Sequence, residues 1–280
     1  MSGTLFVVAT PIGNLQDLTP RARQTLEIVD LIAAEDTRHT GRLLSHFGIK
    51  TPQFALHDHN DAEVVGRLIA ALENGQSIAL VSDAGTPLVS DPGYRIVSAA
   101  HENGIAVSPI VGASALTAAL SVAGLPTDRF CFEGFLPARQ KARQDRLREL
   151  ANESRTVVFY ESVHRICDLL SDQVDIFGGD RLAFIGRELT KLNEQCVKAP
   201  LGELLRQVLD DTIISKGEFV VIVAGSGGQN RSSLDIVRLL VAVGGKMQGK
   251  DAAKVIAAAT GARRNVLYQR LLELTRGGDD

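Results

Sequence analysis

The strongest constraint on this chain is an alternation. Between Thr4 and Ile110, short β-branched runs take turns with amphipathic helical stretches. Thr4–Ala9, Val29–Ala34, Gln53–Leu56, Ser77–Ser82 and Ile105–Ile110 read as strands. The intervening stretches carry helix punctuation. Thr19-Pro20 places a capping hydroxyl before a proline at the first helical position. Thr40–Phe47 is a helix stopped by Gly48, and Tyr94–Asn103 ends before Gly104. Asn60 is expected to cap another helix, with Glu63 completing a capping box and Gly75 closing it. Strand and helix alternating in this way demand a parallel sheet with helices on its faces.

A second α/β block follows the Gly124-Leu125-Pro126 break. Its expected strands are Arg129–Phe135, Thr156–Tyr160, Arg181–Ile185, Glu194–Val197 and Glu218–Ala224. Its helices are Ala138–Ala151, His164–Asp175 and Leu201–Leu209. No full helix separates the strands near 181–197, so this sheet should be mixed. Gly225-Ser226-Gly227-Gly228 reads as a linker. Three helices follow, at Leu234–Val243, Ala252–Thr260 and Asn265–Leu274, with Gly261-Ala262 turning the last pair. The expected organisation is 1–122 for the first α/β domain, 123–227 for the second and 228–280 for a helical extension.

Composition narrows the function classes. Apolar residues at 45% supply an ordinary core, and a net charge of −3 leaves nucleic-acid binding to a local basic face. Cys131, Cys167 and Cys196 are odd in number and lack metal or disulfide spacing, as expected of thiols in a reducing compartment. The apolar run Leu5–Ala9 is too short for a signal-peptide core, and the cytoplasm is the expected location.

Two segments imitate phosphate-binding loops and fail. Gly225–Asn230 has asparagine where the dinucleotide fingerprint needs its third glycine. Gly244–Asp251 matches Gly-x4-Gly-Lys but ends in Asp251, where a hydroxyl should hold magnesium, and it follows a helix.

Three other loops share one sheet edge and are rich in small residues. They are Thr10–Asn14, Ser82–Gly93 and Val111–Ala115. Ligands of open α/β sheets bind outside the carboxyl ends of the strands. Glycine and alanine there admit a ligand to the backbone, and Ser and Thr supply short polar groups.

Val8-Ala9-Thr10-Pro11-Ile12-Gly13-Asn14-Leu15, Glu35-Asp36-Thr37-Arg38 and the whole of Ser82–Gly93 form a specific set. With Tyr160-Glu161, His164-Arg165 and Arg187-Glu188-Leu189-Thr190-Lys191, the chain resembles the ribosomal RNA small subunit methyltransferase I family of the tetrapyrrole methylase superfamily. The resemblance covers about Thr4 to Gly225, and the tail resembles that family's helical extension. It implies two α/β domains with S-adenosylmethionine in the cleft between them, a homodimer, and 2'-O-methylation of a cytidine in small-subunit (16S) ribosomal RNA.

By that resemblance Pro11, Ala84, Gly85, Thr86, Val89, Ser114 and Ala115 should line the cofactor pocket, and Glu161 and Leu189 should face it from the second domain. One departure is Val111 before Gly112, where the family pattern has proline.

A ribose hydroxyl benefits from a base as its proton leaves. Glu35 and Asp36 lie at a strand end, and neighbours in extended chain point to opposite sides, so one of the pair should face the cleft. The resemblance favours Glu35; an ion pair with Arg38 or a helix cap is the structural alternative for Asp36. His57 and His59, in His57-Asp58-His59-Asn60-Asp61, could contact substrate or accept a proton. They lack further ligands at metal spacing, so no metal is expected.

For RNA the candidates are Arg38, Arg187, Lys191 and the basic tail, especially Arg263 and Arg264 in a pair of helices resembling helix-turn-helix. Lys246, Lys250, Lys254, Arg270 and Arg276 add to that charge. Arg139, Lys141, Arg143, Arg146 and Arg148 form a second basic stretch. Two rivals stand beside this reading: a tetrapyrrole C-methyltransferase on the same fold, and a non-catalytic ribosome-associated RNA-binding protein.

Overall fold

The computed structural model describes residues 2–56, 62–91, 93–226, 247, 249–260, 264, 267–269 and 271. The chain divides into two compact units, Met1–Ala224 and Gly225–Asp280. The first unit holds two five-stranded sheets.

The first sheet comprises β1 (Thr4–Val8), β2 (Leu31–Ala34), β3 (Gln53–Ala55), β4 (Ile78–Val81) and β5 (Ala106–Ile110). Its order is β3-β2-β4-β1-β5, and every pair is parallel. Helices α1 (Pro20–Ile28), α2 (Thr37–Phe47), α3 (Ala62–Glu73), α4 (Tyr94–Glu102) and α5 (Ala115–Val122) connect and follow these strands. Strand side chains alternate between two cores, as a period of two requires. Val8, Ile32, Ala34, Ala79 and Val81 pack with Ala22, Leu26 and Leu44 of α1 and α2. Leu5, Ala33, Ile78 and Leu80 pack with Leu68, Leu72, Ile96 and Ala100 of α3 and α4.

The second sheet is mixed, as its sequence predicts. It contains β6 (Phe130–Phe135), β7 (Thr156–Ser162), β8 (Leu182–Arg187), β9 (Gln195–Pro200) and β10 (Glu218–Val223) in the order β6-β7-β10-β8-β9. Only β6 and β7 run parallel. One face packs on α6 (Gln140–Leu150), α7 (Ile166–Phe177) and α8 (Leu201–Leu209), through Val157, Phe159, Ile185 and Val221. Val158, Phe184, Val220 and Ile222 of the other face meet Ile12, Ala119 and Ala123 from the first half of the chain. A loop of the first sheet and α5 are therefore packed against one face of the second sheet.

Boundaries differ where capping or pairing overrides local pattern. Val29 caps α1, its N–H bonded to the Thr25 carbonyl, so β2 starts at Leu31. α2 starts at Thr37 because Asp36 is its N-cap. β7 and β8 run on to Ser162 and Arg187, where Glu218 and Phe219 of β10 still pair with them. In the second unit, α9 (Gly249–Thr260) packs Ala252, Ala253 and Ile256 against Leu267 and Leu271. The Asn60 cap and the helix expected at 234–243 lie outside the described residues. No described helix is long and apolar enough to cross a membrane.

Candidate active site

The three small-residue loops at the carboxyl edge of the first sheet are tied to one another. Thr10 and Gly85 exchange backbone hydrogen bonds of 2.9 and 3.1 Å, joining the loops after β1 and β4. The Thr86 hydroxyl donates to the Ala113 carbonyl at 3.0 Å, joining the loops after β4 and β5. Gly85 adopts φ of +79°, and a Cβ there would sit 3.1 Å from Ile12 Cγ2. Glycine is thus required by the loop itself, and any larger residue there would strain it.

These loops and the facing sheet enclose a cavity of about 320 Å³. Ala84, Gly85, Thr86, Val89, Ser114, Ala115, Glu161 and Leu189 all line it. Pro11 does not; it is buried, and its neighbour Ile12 reaches the cavity instead. Four non-glycine residues of the wall loops take left-handed φ: Leu88, Ser90, Glu188 and Thr190. Such conformations concentrate where the surrounding structure holds a binding loop in one shape.

Glu35 lines the cavity, and Asp36 does not. Asp83 clamps the pair. Its backbone N–H donates to Glu35 Oε2 at 3.2 Å, while its own Oδ1 accepts from the Asp36 N–H at 3.1 Å. Asp36 caps α2 and takes a two-pronged contact from Arg38 at 3.1 and 2.7 Å, which holds its carboxyl far below the usual range. Arg38 is largely exposed. His57 and His59 lie outside the described residues.

Asp91, absent from the sequence-derived candidates, is a further carboxyl in the wall, on the same loop as Asp83. Burial pushes its pKa up to about 6; a hydrogen bond with Ser82 opposes this, and the charges of Glu35 and Asp83 add to it. Tyr160 faces it from β7. A native value above the unfolded one of 3.8 means the folded chain holds the extra proton between these limits. Stability therefore falls as pH rises through that window. Asp91→Asn is expected to be more stable than the parent near pH 7.5, with the gap closing towards pH 4.5. Urea midpoints at the two pH values measure it, and a gap independent of pH would refute the assignment.

On the second sheet, Glu161 is buried and its Oε1 accepts from the Ser162 N–H at 2.8 Å. Its Oε2 faces Arg165 Nη2 at 3.3 Å, a contact outside hydrogen-bond geometry. Desolvation raises the pKa of this carboxyl. The Tyr160 hydroxyl meets the Leu116 amide and the Ser114 hydroxyl, and burial pushes its pKa up to about 12.

The cationic candidates are placed differently from one another. Arg187 is the last residue of β8 and buried, donating to the carbonyls of Lys216 and Asn193 and to Gln195 Oε1. Its guanidinium meets the protein's own oxygens, which organises the loop that follows. Lys191 Nζ pairs with Glu188 and Glu218 at 2.8 and 2.9 Å. Its stem lies where a Cβ on Gly13 would be, linking the first loop to the second sheet. Arg264 is exposed; Arg263 lies outside the described residues.

Residues 4–205 match the family described as Tetrapyrrole (Corrin/Porphyrin) Methylases, and residues 231–275 match the RsmI C-terminal HTH domain. The protein named Ribosomal RNA small subunit methyltransferase I of Escherichia coli O157:H7 is 51% identical, covering 97% of this chain and 95% of its own length. Its namesake in Xylella fastidiosa (strain Temecula1) is 52% identical over 95% of this chain and 98% of its own. Among solved structures, uroporphyrin-III C-methyl transferase from Thermus thermophilus, complexed with S-adenyl homocysteine, superposes with a TM-score of 0.53 at 18% identity. It covers 79% of this chain and 97% of its own, and supports the fold alone. With near-complete coverage at this identity, the chain belongs to the tetrapyrrole methylases and, within them, to the ribosomal RNA small subunit methyltransferase I family.

Proposed function

We propose that this chain transfers a methyl group from S-adenosylmethionine to the 2'-hydroxyl of a cytidine in small-subunit ribosomal RNA. The observation that carries the reading is the single cavity in which Glu35 from the first sheet edge meets the tied loops and the second sheet. The residues present suit the cofactor. A volume of about 320 Å³ lies within the small-molecule range. Loops of alanine and glycine admit it to the backbone, and the carboxyls of Glu35, Asp83 and Asp91 suit its positive charge.

When bound, S-adenosylmethionine supplies a methyl group activated by its sulfonium. The protein's share is alignment and proton removal. Ala84, Gly85, Thr86, Val89, Ser114 and Ala115 would hold the cofactor from the first sheet, with Glu161 and Leu189 opposite. Glu35, its carboxylate held by the Asp83 amide, accepts the hydroxyl proton. A tetrapyrrole substrate is not favoured, because the curated relatives carry the rRNA name over nearly the full chain.

The test is methyl transfer from labelled S-adenosylmethionine to small subunits purified from cells lacking this chain. Label on one cytidine ribose is the expected result; no label on subunits or naked RNA sinks the reading. It places the chain in the cytoplasm with the ribosome. We also propose that the tail grips RNA, because Lys250, Lys254 and Arg264 are exposed on a helical unit matching the HTH domain. A chain ending at Gly225 should keep its cofactor affinity, bind subunits more weakly and show a shallower salt dependence. Sizing both chains tests the homodimer, and unchanged subunit affinity and salt slope would exclude the tail.

A further inference from the structure

Phe132 and Phe135 are three residues apart on β6, a spacing that sends side chains of a regular strand to opposite faces. Here both rings meet Tyr160 edge-on, with centroids 4.8 and 5.7 Å away. A β-bulge is responsible. Phe132 pairs with Val158, but Gly134 pairs with Phe159 and Phe135 with Tyr160, so Glu133 is the additional residue. Gly134 takes φ of +60°, a conformation that suits glycine. Without the bulge, Phe135 would fall opposite Glu161 and turn towards the core under α6 and α7. With it, Phe135 joins the cavity wall and stays 54% exposed.

The ring has firm support. Tyr160 backs it and is itself fixed at the start of α5. A Cβ on Gly134 would lie 2.7 Å from Ser90 Oγ, so the bulge abuts the cavity loop. Arg165 donates to the Leu136 and Pro137 carbonyls just beyond. Glu133, the additional residue, is held by Arg146 at 2.8 and 2.9 Å. The result is a well-supported aromatic ring in the cavity wall with about half of its surface open.

We infer that Phe135 is the platform on which the target nucleobase stacks while its ribose enters the cavity. The inference rests on the RNA reading above. A ribose inside folded RNA reaches an active site only when its nucleotide leaves its own stack, and an aromatic side chain replaces the lost stacking. A wall serving the cofactor alone would enclose its ring; Phe135 stands half open.

The test uses the full chain with Phe135→Ala, Phe135→Leu and Phe135→Trp. Methyl transfer to small subunits gives kcat/KM, and calorimetry gives the affinity for S-adenosylmethionine. Alanine should lower kcat/KM for subunits about 10- to 100-fold, the range for loss of one base-stacking contact. Leucine, which keeps apolar bulk without a π face, should fall with it, while tryptophan stays within about threefold of the parent. Cofactor affinity should hold within about twofold throughout. Leucine as active as the parent overturns the inference, as does a loss of cofactor affinity that accounts for the lost rate. A parent inert on subunits would instead bring down the RNA reading itself, and this inference with it.

Discussion

Glu35→Gln is expected to slow methyl transfer by about 10²–10⁴, the usual contribution of a positioned general base. Glutamine preserves the shape and can still accept the Asp83 N–H that meets Glu35 Oε2 at 3.2 Å, so the clamp between the β2 and β4 ends should survive. What it removes is the basic site. Cofactor affinity measured by calorimetry should fall no more than a few-fold, because Asp83 and Asp91 still face the positive charge, and this separates lost proton transfer from a collapsed pocket. Single-turnover rates on small subunits report the effect. A rate within a few-fold of the parent would move the base elsewhere, with Asp91 the next carboxyl in the same wall.

The second large effect concerns stability. Arg143→Met should destabilise the chain by about 3–5 kcal/mol, the range for breaking one side of a buried ion pair. Arg143 and Asp172 are each 2% exposed and meet at 2.6 Å between α6 and α7. Without the arginine, Asp172 keeps the Gln144 amide at 2.7 Å and Gln140 at 3.5 Å, too few donors for a buried carboxylate. Arg143→Met with Asp172→Leu should recover most of the loss, since an apolar pair of similar size leaves no stranded charge. Urea unfolding of the three proteins decides it. A single-variant loss below about 1 kcal/mol would mean the pair is not desolvated.

That pair also removes much of one RNA candidate. Of the basic stretch on α6, Arg143 pairs with Asp172, Arg146 with Glu133 and Glu149, and Arg148 with Asp145. Asp145 and Glu149 are visible in the local sequence at helical spacing, but Glu133 and Asp172 arrive from another strand and another helix. Local charge counting therefore overstated the positive face.

The same distinction runs through the rest of the molecule. Alternating strands and helices were legible because each carries its own periodicity and caps, and Thr19-Pro20 and Gly48 stand where their chemistry predicts. The cavity loops were legible because small residues cluster at strand ends. Of the acidic pair, alternation in extended chain identified that one would face inward, and Glu35 does. The ends of β7 and β8 were not legible, because β10, distant in sequence, sets them. Asp91 was missed because its character comes from desolvation by residues it meets only in the fold. Phe135 was missed because a bulge reverses its face; a glycine inside a strand pattern, Gly134, was the available sign.

The order of the second sheet bears on how the chain is made. β10 lies between β7 and β8, yet it is the last of the five to leave a ribosome during synthesis. Until residues 218–223 emerge, the β6-β7 pair and the β8-β9 hairpin each present an unfilled edge, and the strand that joins them is missing. Exposed edges of this kind invite pairing with other chains. Nascent copies of this protein therefore pass through a window of vulnerability that closes only when a single late strand, Glu-Phe-Val-Val-Ile-Val, slots into the middle of the sheet.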